Sequence, residues 1–412
     1  MRIFAWPAAL LLVAACDRNP PADDVAEPVT AWRLQVELPG VALPVQLYLA
    51  ADGSAAWFSN GPERVPVPDI RRDGDGWILH FPVFNNTLSL RPAEDGLAGE
   101  LTLVKRGYEQ HMPVSAVPDE GYRFVQRPEP AVDLTGRWAV TFTGDGSAQD
   151  LAVGEFDQQG GDINGTFLTA TGDYRYLSGE VDGERMMLST FDGAHAFVFT
   201  ATAQPDGSLR GEFWSGTKWH ESWVAVRDYD ARLPDAYELT YLKEGFDRLE
   251  FTFPDLDGKP VSLAEERFRD KVVLVSLAGS WCPNCADEMA FLAPVWREYR
   301  DQGLEIVILL YEHFEDFERA AQQGRAMAQQ HDAGFEFLVA GISDKTAAAA
   351  TLPMLNHVLA FPTLIFVGRD GAVRHIHTGF SGPGTGQHYV AFKERFTALL
   401  EGLLEERAVQ GP

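Results

Sequence analysis

Residues 271–277 read Lys-Val-Val-Leu-Val-Ser-Leu, an apolar run that Ala278, Gly279 and Ser280 interrupt just before Trp281-Cys282-Pro283-Asn284-Cys285. Apolar residues then recur at three- and four-residue steps, at Met289, Leu292, Val295, Trp296 and Tyr299. That spacing predicts an amphipathic helix lying on a sheet, with Asp287, Glu298 and Arg300 toward water. A buried strand, a tight loop, a dithiol and a helix in succession leave few folds open.

Thiol chemistry supplies a reason for the arrangement. Two cysteines in the first helical turn can close into a small disulfide ring or open to a dithiol without moving the fold. The unpaired N–H groups and the positive dipole end of that helix favour a thiolate at the first of them. Cys282 is therefore the expected nucleophile. Cys285, one turn further in, is expected to attack the mixed disulfide formed at Cys282 and release reduced substrate. Two other uses of the pair remain open. A zinc site needs two more ligands, and the chain has neither a second cysteine pair nor histidines at finger spacing. A purely structural disulfide is the other, although so tight a ring removes little unfolded-state entropy.

Residues 358–367 read Val-Leu-Ala-Phe-Pro-Thr-Leu-Ile-Phe-Val, a strand with Pro362 near its start, followed by the turn Gly368-Arg369-Asp370-Gly371 and a second strand. A proline fits a strand at its boundary or in a cis peptide. With the Cys282/Cys285 motif, Phe361-Pro362-Thr363 and a closing hairpin and helix, residues 247–404 resemble the thioredoxin superfamily. Residues 251–285 and 377–386 more narrowly resemble the TlpA/ResA group of bacterial extracytoplasmic thiol-disulfide oxidoreductases. The resemblance implies that Cys282 and Cys285 are the redox pair and that Pro362 is a cis-proline lying across them. An incoming substrate strand would then pair beside it, against Trp281, Phe361 and Thr363. It also implies an acid assisting proton transfer near the buried thiol. Glu312, just after the expected strand 305–311, is the nearest match, with His313 as the alternative and a solvated loop acid as the plainer reading. Ser276 stands where thioredoxin itself has a buried aspartate, so a general base must come from elsewhere. Pro283-Asn284 departs from the usual pattern between the cysteines, and potentials in this superfamily span roughly 150 mV. The direction of electron flow is open on that ground.

The amino terminus carries a different signal. Residues 1–16 join Arg2, a short apolar core and Val13-Ala14-Ala15 to Cys16, which resembles a bacterial lipoprotein signal with Cys16 as the lipidation site. A plain secretory signal with an incidental cysteine is the alternative. The chain has three cysteines; one for lipid and two for redox chemistry leave no structural bridge. Acidic residues outnumber basic ones 60 to 34, giving a net charge of −26, which argues against nucleic acid or anionic lipid headgroups as partners. The content of hydrophobic residues, 45%, excludes general disorder.

From Trp32 to about Asp228 the pattern alternates with period two and glycine-aspartate turns punctuate it, which predicts an all-β region. It reads as duplicated. Trp32-Arg33-Leu34 aligns with Trp138-Ala139-Val140, Thr87 to Leu90 with Ala196 to Phe199, and Asp95-Gly96 with Asp206-Gly207. Each copy supplies about eight short antiparallel strands, enough to close a small barrel, with open sandwiches or one shared sheet as alternatives. Phe213, Trp214, Trp219 and Trp223 are expected to be core rather than a pocket lining.

The expected chain is multidomain: a signal peptide (1–15), a flexible tether (16–30), two tandem antiparallel β-barrel-like repeats (31–127 and 128–230), a linker (231–246) and an α/β thioredoxin-like domain (247–408). The expected function is a membrane-anchored extracytoplasmic protein thiol-disulfide oxidoreductase, a disulfide reductase by preference. Its partners would be protein thiols or disulfides and a membrane electron donor or acceptor, with no metal and no cofactor beyond the Cys282–Cys285 couple. A peroxiredoxin-type thiol peroxidase shares the fold but sets its first cysteine in a threonine-containing loop without a CxxC partner. A ligand- or partner-binding surface lipoprotein with an accessory redox domain is the third reading.

Overall fold

The computed structural model describes residues 29–144 and 149–406. The expected signal, Cys16 and nearly all of the tether lie outside the described residues.

Alternating burial builds the first β repeat. Its strands are Val29–Leu38 (β1), Val41–Ala50 (β2), Ala56–Asn60 (β3), Glu63–Pro66 (β4), Asp69–Asp73 (β5), Gly76–Phe81 (β6), Asn86–Ala93 (β7), Gly96–Lys105 (β8) and Tyr108–Pro118 (β9). They form one antiparallel sheet in the order β4-β3-β2-β1-β9-β8-β7-β6-β5, whose two ends do not pair with each other. The second repeat has Gly136–Thr143 (β10), Gln149–Gln159 (β11), Asp162–Thr169 (β12), Gly172–Asp173 (β13), Leu177–Asp182 (β14), Arg185–Phe191 (β15), Ala196–Ala203 (β16), Leu209–Ser215 (β17) and Trp219–Arg227 (β18). Strand for strand the order recurs, with one change. β12 pairs with β14 as well as with β11 and β13, so this copy closes into a barrel with β13 outside the ring. β13 has two residues where β4 has four, and the freed edge of β12 is what β14 takes.

The two interiors differ in chemistry as well as closure. The first is mainly aliphatic, around Leu47, Leu88, Leu90 and Leu101. The second is aromatic, around Trp138, Phe142, Phe167, Phe199 and Phe213. Phe191 and Val198 of the second repeat belong to the first repeat's core, with the Phe191 ring 4.8 Å from that of Phe58. The open sheet is thus finished by its neighbour. Buried Arg123 fastens the junction, donating to the Asn60 side chain of one repeat and to Ser189 of the other. Of the four aromatic residues expected in the core, Phe213 and Trp223 are there and Trp214 packs at the inter-repeat face. Trp219 is a correction: it sits at the β18 edge of its turn, 57% exposed.

The C-terminal domain opens with the hairpin Thr252–Pro254 (β19) and Pro260–Ser262 (β20). Then follow Val272–Ala278 (β21), Pro283–Tyr299 (α1), Leu304–Glu312 (β22), Phe317–Gln330 (α2), Glu336–Ile342 (β23), Lys345–Thr351 (α3), Thr363–Val367 (β24), Val373–Thr378 (β25) and Gln387–Glu405 (α4). The sheet order is β23-β22-β21-β24-β25, with β21, β22 and β23 parallel and the last two antiparallel. β21 is buried at every position, as a central strand covered on both faces requires. Phe392, Phe396, Leu400 and Leu403 seat α4 on that sheet. α3 ends at Thr351, because Leu352 precedes Pro353 and leaves the helical region. Residues 236–243 run along this domain, with Thr378 N donating to Ala236 O and Lys243 N to Met354 O. Val83, from the β6–β7 turn of the first repeat, inserts into the C-terminal core.

Candidate active site

The dithiol sits where β21 hands over to α1. Cys282 caps the helix: its Sγ accepts from Cys285 N at 3.3 Å, and Pro283 takes the first helical position, where its missing N–H costs nothing. The Cys282 thiol also reaches Phe361 O, 3.4 Å away, across the cis Phe361–Pro362 peptide. Cys282 is 7% exposed and Cys285 is fully buried. Burial and the adjacent Cys282 sulfur push the Cys285 thiol well above the ordinary thiol range. A side chain at Gly279 would meet the Trp281 indole and Tyr311 O, so the loop needs glycine there.

The expected substrate-side residues fall into two groups. Trp281 and Phe361 stand beside the sulfurs with ring centroids 5.8 Å apart; Trp281 Nε1 donates to Tyr311 O and its ring stacks on His313. Thr363 is fully buried, and its hydroxyl is engaged by Ala360 O at 2.8 Å. Glu312 ends β22 in the buried interior. Its two oxygens accept from Ser280 N and Ser280 Oγ, both at 2.8 Å, which ties down the loop leading into the dithiol. Burial raises it to about 7. His313 is held down at about 3 by burial and by Lys105 and Arg106 of the first repeat, so it is neutral and serves as a platform for Trp281.

Sequence reasoning missed Glu288. This side chain, one turn after Cys285 on the same face of α1, is fully buried; Ser276 Oγ donates to one oxygen at 2.5 Å and the other has no partner. Burial pushes it up to about 8, and its charge is among those felt by Cys285. The signal was available, because a glutamate in the apolar stripe of Cys285, Met289 and Leu292 cannot face water.

Asp287 is a correction. It does not face water; it pairs with Arg175, a residue of the second β repeat that also donates to Pro283 O at 3.3 Å. Next to it, Asn284 Nδ2 donates to Asp173 O (3.3 Å) and Phe380 O (3.4 Å), while Gly382 N donates to the Asp173 carboxylate at 2.7 Å. Pro283 and Asn284 are buried beneath this contact. Gly172 lies so close that a Cβ there would come within 2.7 Å of Asn284 Nδ2. The residues between the cysteines are therefore read by another domain. Among the described residues no cluster of three or more His, Cys, Asp or Glu could hold a metal ion, and no helix is long and apolar enough to cross a membrane.

Residues 243–390 match the Redoxin family. The C-terminal region is a Redoxin domain. The chain is similar to the thioredoxin-like protein YneN of Bacillus subtilis, 28% identical over 138 residues that cover 34% of this chain and 73% of that protein. It is also similar to the thiol-disulfide oxidoreductase ResA of Bacillus thuringiensis subsp. konkukian, 26% identical over 123 residues. That match covers 30% of this chain and 62% of ResA. Among solved structures, a thiol:disulfide interchange protein of the thioredoxin family from Chlorobium tepidum TLS is 16% identical, covering 39% of this chain and 98% of that one with a TM-score of 0.30. Cys282, Cys285, Glu288, Glu312, Phe361 and Pro362 all lie within the matched residues, whereas Arg175 and Asp173 lie outside them.

Proposed function

We propose that this protein is an extracytoplasmic, lipid-anchored thiol-disulfide oxidoreductase that reduces protein disulfides through Cys282 and Cys285. One observation carries the reading: the Cys282 sulfur caps α1 while lying 3.4 Å from the carbonyl that precedes Pro362, with Cys285 buried behind it. The Redoxin match and the thiol-disulfide oxidoreductase activity named for ResA support it. The lipoprotein-like pattern ending at Cys16 supports the anchor.

In the reductive direction the Cys282 thiolate attacks one sulfur of a substrate disulfide, forming a mixed disulfide and expelling the other substrate sulfur as a thiolate. Ionised Glu288 then takes the proton from Cys285. The Cys285 sulfur attacks Cys282, the Cys282–Cys285 bond forms and the second substrate thiolate leaves; both substrate thiolates collect protons. Two electrons pass from the dithiol to the substrate, and a membrane electron donor would restore the dithiol. Glu288 suits the proton step because a group near 8 exchanges its proton close to neutral pH. Glu312 holds the loop through Ser280, and Trp281 with Phe361 frames the approach.

Replacing Cys285 with alanine tests this directly. The expected result is accumulation of partners disulfide-linked to Cys282, resolved by a reducing gel. A parent protein whose Cys282 and Cys285 never form a disulfide across a glutathione series would overturn the reading.

A further inference from the structure

A buried cation from outside the Redoxin domain reaches the residues between the two cysteines, where Arg175 donates to Pro283 O. Closing the second barrel through β12 and β14 leaves residues 174–176 as an excursion beyond the short β13, and Arg175 is its middle residue. Its side chain is 13% exposed. It pairs with Asp287 on α1, with Glu63 on β4 at 2.7 Å and with Asp192 at the end of β15 at 3.3 Å. Although burial works against its charge, these carboxylates hold the guanidinium well above its ordinary range. One cation thus joins both β repeats to the Redoxin domain where the helix bearing Cys282 begins. Three carboxylates around it would otherwise face that helix start, where a thiolate has to form.

We infer that Arg175 is a positioning residue of the thiol pair: it fixes the Pro283–Asn284 bridge through Pro283 O and neutralises Asp287, so that the second β repeat helps set the dithiol–disulfide equilibrium. This rests on the thiol–disulfide reading above. The groups bearing on the same spot are Glu63, Asp173, Asp192 with His195 at 3.0 Å, Tyr176 and, beneath the helix, Glu288. Removing the cation leaves uncompensated negative charge beside the reduced, thiolate-bearing state. Removing Asp287 does the reverse.

The experiment equilibrates the full chain with glutathione buffers at pH 7 and reads the Cys282–Cys285 disulfide by alkylation and mass spectrometry, with a thermal melt on each variant. Arg175→Gln is expected to shift the equilibrium constant about three- to tenfold toward the disulfide, as loss of a buried unit charge bonded to the residue after Cys282 implies. Asp287→Asn is expected to shift it by a similar factor toward the dithiol. Arg175→Lys, which keeps the charge but not the guanidinium fork, should stay within about twofold of the parent if charge is what acts. Mere loosening of the interface would lower the melting temperature and move both neutral variants in the same direction; that result, or no shift in either, overturns the inference. Should Arg175→Gln fail to fold, a shift of Asp287→Asn toward the dithiol beside an unmoved Arg175→Lys still decides. A parent that does not exchange with glutathione at all defeats the thiol–disulfide reading instead.

Discussion

The dithiol lies between two buried polar regions built on opposite rules. On the sheet side, Glu288 has a single hydroxyl for company, and burial keeps its proton on until about pH 8. On the β-repeat side, Arg175 is ringed by carboxylates and the Asn284 amide donates to Asp173, so the buried polar groups there are held by partners. A lone acid in apolar surroundings exchanges protons; a paired network holds geometry and field. The contrast divides the labour at one pair of sulfurs: proton traffic below, alignment above.

Four substitutions would break or sharpen this contrast. Cys282→Ser should lower disulfide reduction by about 10³-fold or more, and variants on either side should then have nothing left to modulate, as stopped-flow reduction of a model disulfide would show. Glu288→Gln should slow resolution of the mixed disulfide by about 10²-fold while leaving its formation intact. It should also change the pH dependence of stability. The folded acid, near 8, keeps its proton while the unfolded one has already lost it, so the parent is penalised as pH rises from about 4.5 toward 8. Chemical denaturation should therefore show the Glu288→Gln variant gaining about 3 kcal/mol on the parent between pH 4.5 and pH 7. Asn284→Ala removes the contacts to Asp173 and Phe380 and should cost about 1 kcal/mol in the same assay. Glu312→Gln keeps an acceptor for Ser280 and should leave turnover within about twofold; a loss as large as that of Glu288→Gln would move the proton role to the strand side.

The legible parts of this site are those with a local cause. The buried run of β21, the loop glycine, the dithiol and the stripe of α1 follow one another in the chain, and each dictates the next. The β duplication was equally visible, since Trp32 and Trp138 fall in the equivalent strands β1 and β10 and the Asp95 and Asp206 turns precede β8 and β17. Barrel-like repeats were expected of both copies, but which copy closes was not visible, because it turns on β13 having shrunk to two residues and on β14 taking a partner two strands back. Asp287 looked like a surface residue for the same reason: its partner, Arg175, is 112 positions away, and nothing in either neighbourhood announces the other. Glu288 is readable from the helix face alone, whereas Glu312, at the end of a strand, matches the family pattern by its place in the chain.

Val83 adds a consequence for biogenesis. It is synthesised long before Val272, Leu309 or Phe366, yet it is buried in the core those residues build. A ribosome releases the two β repeats first, and until the last domain condenses that loop is an apolar knob without a socket. Truncation before α4 would leave the knob bare, so chaperone capture and proteolysis should strike the amino-terminal half when the defect lies at the carboxyl end.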